Sequence, residues 1–505
     1  MSRKILASLS SAALLSAPFL NPLLFPLAWL AFVPLFWVMH RAESLRQAVF
    51  YGWLMGTAAH LIGFHWLVYT ITVFGGFPYP ISAVVFLAYA VLQGLQIAIF
   101  AFLVRSIGFG PLQILPAVFW VALEFWFPLL FPWYLANSQV AFSWFIQTAD
   151  LVGPYGAGFV LMWFNAAICR VVIAEKNERP ARVLAAAYAA LFALVSLVYG
   201  YQRLQTVGEE MAKARKLPVA AVQGNIDIDL KWNPALVEQN LEKHKNLTSQ
   251  LEAVPLVIWP ESAIEVWLPD ELIYLPEKLM PQLKAGQSRF IFGAKSFRGK
   301  PGTADFKAFN TAFITDKSGR ILGRYHKQVL LAFGEYLPFA KLLSLLPAMP
   351  FADGFTAGSG PVTFHLPRGI RIGPLICYED LMPDLSRKLV KETRANVLVN
   401  LTNDAWYGKS VGPWQHARLA QSRAIETRRS LLRVTNTGVT SLVNAKGEMV
   451  QSLPMFTPAI LKTEVEILDD ETYYVRFGDW FAWGMTIISL GLMLGLFRRL
   501  LMSKP

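Results

Sequence analysis

Apolar residues are distributed so unevenly along this 505-residue chain that no single globular core can hold them. Residues 1–202 are almost continuous hydrophobic stretches, 203–476 mix polar and apolar residues, and 479–497 turn apolar again. Charged residues make up 16% of the chain, against about 25% in an ordinary soluble protein. A membrane bundle joined to one globular domain is the architecture this division allows. Stretches approaching the ~20 residues needed to cross a bilayer fall near 5–20, 23–39, 53–73, 81–104, 111–131, 155–174, 183–201 and 479–497. The expectation is an α-helical bundle of about eight spans. The break at Asn21-Pro22 is tight enough to make the first two one hairpin, and 1–20, opened by Arg3 and Lys4, also fits a signal peptide.

Basic residues orient the bundle. Arg3 and Lys4, Arg41 and Arg46, Arg105, the group Arg170, Lys176, Arg179 and Arg182, and the tail Arg498, Arg499 and Lys504 stand at alternate connections. The intervening connections, 74–80 and 132–152, contain no Lys or Arg. The positive-inside rule then puts both termini in the cytoplasm and the polar region beyond the membrane. The expected division is a bundle over 1–202, an extracytoplasmic domain over 203–476, and a last span with a cytoplasmic tail over 477–505. These flanking residues supply much of the net charge of +12, and no motif points to nucleic acid.

Within 203–476, short β-rich runs alternate with helical stretches. The runs are 218–225, 256–260, 290–297, 312–315, 370–377, 395–403 and 432–444. Residues 234–251 read as a helix capped by Asn233 with Pro234 in first position, and 412–430 as a second. Near-continuous apolar strands between helices predict an α/β layered domain with sheets covered on both faces.

The chain has two cysteines, and Cys377 is the one in the polar region. A lone cysteine is commonly a buried small hydrophobe. Cys377, however, ends an apolar strand at a polar turn, where backbone N–H groups favour a thiolate. It also has no disulfide partner on its own side of the membrane, in a compartment where structural cysteines pair. Three motifs stand at predicted strand ends: Trp259-Pro-Glu261-Ser, Arg324-Tyr-His-Lys327 and Ile376-Cys377-Tyr378-Glu379-Asp380. A carboxylate can take a thiol proton, a lysine can stabilise an oxyanion, and a cysteine can attack a carbonyl. Spacing alone does not bring them together.

The trio resembles the Glu-Lys-Cys triad of the nitrilase, or carbon–nitrogen hydrolase, superfamily. Such a domain between apolar spans resembles the bacterial apolipoprotein N-acyltransferase family in particular. Gln223-Gly-Asn225, Lys231-Trp232-Asn233, Phe333-Gly-Glu335-Tyr-Leu-Pro338, Asn403-Asp-Ala-Trp406-Tyr-Gly408 and Arg433-Val-Thr-Asn-Thr-Gly438 also match it. The resemblance implies an αββα sandwich and a ping-pong acyl transfer with no cofactor. Glu261 would be the base, Cys377 the nucleophile and Lys327 the oxyanion partner, joined by the Tyr378 backbone N–H. Glu335 would be a supporting second carboxylate. The implied donor is a phospholipid, phosphatidylethanolamine being the usual one, and the implied acceptor a diacylated apolipoprotein. The enzyme is expected to be a monomer in the bacterial inner membrane, with the catalytic domain in the periplasm.

Other residues invite readings of their own. Residues 336–356 carry many apolar side chains, among them Leu345 and Leu346, and read as a core helix or as a membrane-dipping gate for acyl chains. Trp232 and Trp406 are candidates for the acyl or headgroup path, or for ordinary packing. Glu379 is placed to position a substrate amine or to make a structural hydrogen bond. Glu124, a carboxylate inside an apolar segment, is expected to bond across the bundle or line a lipid path. The seven histidines form no metal-ligand spacing, so no metal is expected. A membrane-tethered hydrolase and a transporter with an outer binding domain are the competing functions. The spans carry few of the charged or broken features that transport requires.

Overall fold

The computed structural model describes residues 2–283, 289–303, 305–332, 334–336 and 354–502. The chain forms two compact units: Met1–Val68, Pro78–Thr206 and Phe477–Pro505 make the first, and Tyr69–Phe77 with Val207–Arg476 the second.

The first unit is a helical bundle. Among the described residues, five helices are long and apolar enough to cross a membrane: Pro22–His40, Tyr79–Ile107, Ser143–Val172, Arg179–Lys213 and Trp480–Arg499. The broken pair Leu45–Gly63 and Leu67–Gly75 makes a sixth if it counts as one span. That makes five or six qualifying spans, where the sequence predicts about eight. Residues 2–20 are helical, but serines at 2, 8, 10, 11 and 16 dilute their apolar character. The segment 111–131 yields only the 12-residue helix Leu115–Trp126. That helix stops because Phe127 turns extended ahead of Pro128, as a residue before proline tends to.

Polar side chains inside the bundle serve broken backbone. The helical turn Pro22–Trp29 gives way to the helix Val33–His40, and Asn165 spans that break. Its Nδ2 donates to the Ala28 carbonyl at 3.0 Å, and its Oδ1 accepts from the Phe32 N–H at 2.8 Å. In an apolar medium a freed backbone group needs such a partner. Glu124 does the same, its Oε1 accepting from the Leu135 N–H at 2.6 Å.

The second unit is a two-sheet sandwich. Its strands are β1 (Arg215–Gln223), β2 (Leu256–Ile258), β3 (Ile264–Pro269), β4 (Arg289–Arg298), β5 (Lys307–Asp316) and β6 (Ile321–His326). They continue with β7 (Phe364–Leu366), β8 (Ile370–Ile376), β9 (Val397–Thr402), β10 (Leu431–Thr435), β11 (Ser441–Val443), β12 (Met449–Ser452) and β13 (Ala459–Ile467). One sheet runs β13-β1-β2-β4-β5-β6, with β3 also pairing β4, and the other runs β12-β11-β10-β9-β8-β7. Alternate residues of both sheets, such as Val219, Ile258 and Ile314 against Ile372, Val399 and Leu432, form the core between them. The opposite faces are covered as well. Trp259, Phe290 and Phe292 of the first sheet cluster with Leu241 of the helix Val237–Ser249. Leu375, Leu398 and Leu431 of the second cluster with Leu389 and Ala420 of the helices Pro383–Thr393 and Gly412–Thr427. The layers are therefore αββα.

Two local expectations are corrected. The helix placed at 234–251 begins at Val237 after Leu236, because the Asn233 side chain is already committed to a turn, accepting from the Ala235 N–H at 3.1 Å. The run 432–444 is two antiparallel strands, β10 and β11. The turn between them brings Gly438 so close to Asp404 that a Cβ there would lie 2.2 Å from the carboxylate.

Candidate active site

Three of the predicted residues leave the ends of strands from both sheets. Glu261 follows β2 and Lys327 follows β6 in one sheet, while Cys377 follows β8 in the other. Glu261 is held in a turn whose next residue, Ser262, adopts φ +51°. The turn lies directly on β4 at Gly293, whose N–H donates to the Pro260 carbonyl at 3.2 Å. A Cβ at Gly293 would sit 2.6 Å from the Ser262 nitrogen and 2.7 Å from the Glu261 Cα. Cys377 itself takes φ +52°, a left-handed conformation that costs a non-glycine residue roughly 1–2 kcal/mol. Its carbonyl accepts from Asn400 Nδ2 at 3.0 Å, which fixes the turn on β9.

The structure brings Glu261, Lys327, Glu335 and Cys377 together, all buried. Glu261 and Lys327 both lie within electrostatic reach of the Cys377 thiol. Lys327 Nζ lies 2.7 Å from Glu335 Oε2. Asn310, in the middle of β5, donates from one Nδ2 to Glu261 Oε1 at 2.8 Å and to Glu335 Oε1 at 2.9 Å. Burial pushes the Cys377 thiol well above its ordinary pKa, and the nearby Glu261 carboxylate pushes the same way. Burial also raises Glu261, against the pull of Lys327. On Lys327, burial opposes the charge, but Glu335 above all, helped by Glu261, overcomes it and the pKa rises. The resting site is thus a neutral thiol against a carboxylate of raised basicity, beside a fixed ammonium.

The supporting residues divide. Tyr378 is buried in the turn Cys377–Leu381. Glu379 is fully buried and accepts from the backbone N–H of Gln328 at 2.6 Å, Val329 at 3.0 Å and Ile376 at 2.7 Å, and from the Tyr325 hydroxyl at 2.9 Å. It ties the segment after Lys327 to the residue before Cys377. Trp232 stands at φ +76° with Lys295 Nζ 4.1 Å above its ring. Its neighbour Lys231 donates to the Ser262 carbonyl at 2.8 Å, on the Glu261 turn. Trp406 packs 4.2 Å from the ring of Phe74, and its neighbours Asp404 and Tyr407 lie within electrostatic reach of Cys377. Leu345 and Leu346 lie outside the described residues.

Sequence reasoning missed a buried ionic cluster beneath the nucleophile. His416 places Nε2 2.8 Å from Asp380 Oδ1 and Nδ1 2.8 Å from Asp404 Oδ1. Arg433 Nε donates to Asp380 Oδ2 at 2.8 Å, and Asn400 donates to the same carboxylate. Burial disfavours charge on both His416 and Asp380. Their mutual attraction nevertheless raises His416 to about 9 and, with Arg433, lowers Asp380 to about 2. Asn310 was also missed, although a polar residue at the centre of the apolar strand Lys307–Asp316 was a signal available in the sequence. Among the described residues, no group of three or more His, Cys, Asp or Glu side chains is placed to hold a metal ion.

A Cys-Glu-Lys constellation at the strand ends of an αββα sandwich, in one chain with an apolar helical bundle, defines a membrane enzyme of the carbon–nitrogen hydrolase fold. The carbon–nitrogen hydrolase profile matches residues 218–469, and that of the apolipoprotein N-acyltransferase N-terminal domain matches 11–167. An apolipoprotein N-acyltransferase of Geobacter metallireducens is 34% identical over 494 residues, 95% of this chain and 93% of the relative. One from Azotobacter vinelandii is 31% identical over 93% of this chain and 90% of its own length. The chain belongs to the apolipoprotein N-acyltransferase family. It is an acyltransferase and a bacterial membrane protein.

Proposed function

We propose that this enzyme moves a fatty acyl chain from a phospholipid, through a thioester on Cys377, to the α-amino group of the N-terminal S-diacylglyceryl cysteine of apolipoproteins. The observation that carries the chemistry is the buried, neutral Cys377 thiol within electrostatic reach of Glu261, with Lys327 beside them held charged by Glu335. As Sγ attacks the donor's ester carbonyl, Glu261 takes the thiol proton. Lys327 neutralises the oxyanion, joined by the Tyr378 N–H. The ester C–O bond then breaks, and Glu261 returns the proton to the leaving glycerol oxygen, which releases a lysophospholipid. The acceptor amine next attacks the thioester. Glu261 takes one amine proton, the C–S bond breaks, and the proton passes back to Sγ. An amide remains on the lipoprotein and the free thiol is restored.

Phosphatidylethanolamine is the proposed donor. The enzyme works as a monomer in the inner membrane, with both termini cytoplasmic and the catalytic domain periplasmic. The supports are the alternation of Lys- and Arg-rich connections with connections free of both and the family relationship. Trp232 and Trp406, beside the Glu261 turn and Asp404, are the side chains proposed to line the substrate path. The test is intact-mass spectrometry of the full chain incubated with phosphatidylethanolamine, beside Cys377→Ala. The expected result is a hydroxylamine-labile acyl adduct on the wild type alone, discharged quickly by a diacylglyceryl-cysteine peptide and slowly by water. Equally fast discharge without the peptide would make the enzyme a hydrolase, and absence of the adduct would remove Cys377 from the chemistry.

A further inference from the structure

The helical unit holds a cavity of about 460 Å³ whose polar wall is made chiefly by arginines. It is lined by Arg105, Arg170 and Arg182 together with His40, Phe109 and Gly108. The chain gathers them from four helix ends. His40 closes the helix Val33–His40, Arg105 and Arg170 stand in the last turns of Leu95–Ile107 and Gly156–Val172, and Arg182 lies in the first turn of Arg179–Lys213. A basic residue at a helix C-terminus offsets the dipole, and that would explain Arg105 and Arg170 at the rim, though not Arg182 in the first turn of its helix. It does not explain a cavity between them.

Two further observations point to an occupant. Among the described residues no carboxylate lines the cavity; Glu178, off its lining, pairs with Arg182 at 3.4 Å and acts on Arg170 only through space. The Nε atoms of Arg170 and Arg182 are buried and have no hydrogen-bond partner. A buried guanidinium donor without an acceptor is costly, and three positive charges around one space repel unless an anion sits between them. Arg170 is also fixed in direction. Its Nη1 lies 3.3 Å from His40 Nδ1, and its guanidinium packs 5.3 Å from the ring centre of Phe109. Gly108, at φ +97°, has nothing within 4 Å of where a Cβ would be, so the cavity mouth stays open beside it.

We propose that this cavity binds a phosphate ester, held by Arg105, Arg170 and Arg182. Planar forks of N–H donors suit phosphate oxygens, and several arginines around one anion give a bidentate clamp that a lysine cluster cannot. The group comes from one of two sources: the headgroup of an anionic phospholipid entering between helix ends, as basic pockets in bundles accept, or a small soluble phosphate ester. The Phe109 wall and the open side at Gly108 suit the glycerol end of a lipid, so the lipid is the source assigned. This site is separate from the catalytic residues and does not depend on the acyl-transfer reading.

The test uses the full chain, delipidated in a neutral detergent and offered phosphatidylglycerol or phosphatidylcholine, with bound lipid counted by native mass spectrometry. The expected result is one phosphatidylglycerol retained per chain in preference to phosphatidylcholine, falling at least tenfold in Arg170→Gln and Arg105→Gln. Arg499→Gln, which removes a positive charge from the last helix, should keep it. Arg170→Lys, which keeps the charge and loses the fork, should fall between and serves where Arg170→Gln does not fold. Displacement of the lipid by millimolar glycerol 3-phosphate, with equal saturation in its absence, would overturn the lipid assignment in favour of a soluble ester. Equal retention by wild type, Arg105→Gln and Arg170→Gln, or equal loss in Arg499→Gln, would overturn the site.

Discussion

Lys327 places its ammonium 2.7 Å from Glu335, and the pair is almost wholly enclosed. A buried lysine would ordinarily shed its proton, and Glu335 prevents that. Lys327 is therefore built to remain a cation through the cycle, which suits charge stabilisation and excludes it as the base. Lys327→Met should slow thioester formation about 10²–10³-fold, the size of losing one oxyanion donor. Glu335→Gln keeps an acceptor for Asn310 but removes the counter-charge, and should lose roughly 10-fold or more. Single-turnover adduct formation checks both. A Glu335→Gln enzyme as fast as wild type would mean that the lysine needs no partner.

Glu261 owes its place to a missing methyl group. With the turn's backbone 2.6–2.8 Å from any Cβ at position 293, Gly293→Ala has to shift either β4 or Glu261. A displacement approaching an ångström at a catalytic group costs about 10²-fold in rate. Gly293→Ala should therefore lose adduct formation while its thermal midpoint falls only modestly. Full activity in a well-folded Gly293→Ala enzyme would show that the turn is not what positions the base.

The sequence made the layered domain and the three motifs legible because each is local: an apolar run, then a reactive residue at its end; Glu335 was legible only through the family resemblance. The span count was less legible. Ser2–Leu20 is diluted by its serines, and the length and hydropathy of 111–131 do not register the extended Phe127 that cuts Leu115–Trp126 short. Pairings between segments distant in sequence were out of reach altogether. His416 meets Asp404 and Asp380 from 12 and 36 residues away, and only the stacking of β8, β9 and β10 brings them together. Asn403-Asp-Ala-Trp406 and Arg433-Val-Thr-Asn were visible as family stretches, yet what Asp404 and Arg433 touch was not.

Glu379 adjoins the nucleophile in sequence, but its four donors give it a positioning task. In Glu379→Gln one carboxylate oxygen becomes an NH₂ facing N–H groups of Gln328, Val329 or Ile376. A buried donor left without an acceptor costs about 1–3 kcal/mol. The variant should melt several degrees lower and lose activity in the same preparation, whereas Cys377→Ala should lose activity with little change in melting. If Glu379→Gln melted like wild type and still failed to discharge the thioester, Glu379 would be handling the substrate amine instead.

The ionic cluster beneath Cys377 predicts a pH signature in stability. His416 is raised from 6.5 to about 9 in the folded protein, so its contribution is complete below pH 6.5 and is lost as pH rises through 9. Asp380 is lowered from 3.8 to about 2, so its contribution is present above pH 3.8 and is lost as pH falls through 2. Asp404 and Arg433, the other charges facing His416, come from the neighbouring turn and β10. Between pH 4 and 6.5 the cluster is fully formed. His416→Gln removes its central cation and leaves Asp380 and Asp404 with Arg433 alone. The melting difference between wild type and His416→Gln should be largest at pH 5–6.5, on the order of 1–3 kcal/mol, and should shrink steadily toward pH 9. The Asn400 bond to the Cys377 carbonyl also runs through Asp380, so adduct formation should fall with stability in the variant. A difference that stayed constant from pH 5 to 9 would mean that His416 is neutral in the fold and that the cluster is held by Arg433.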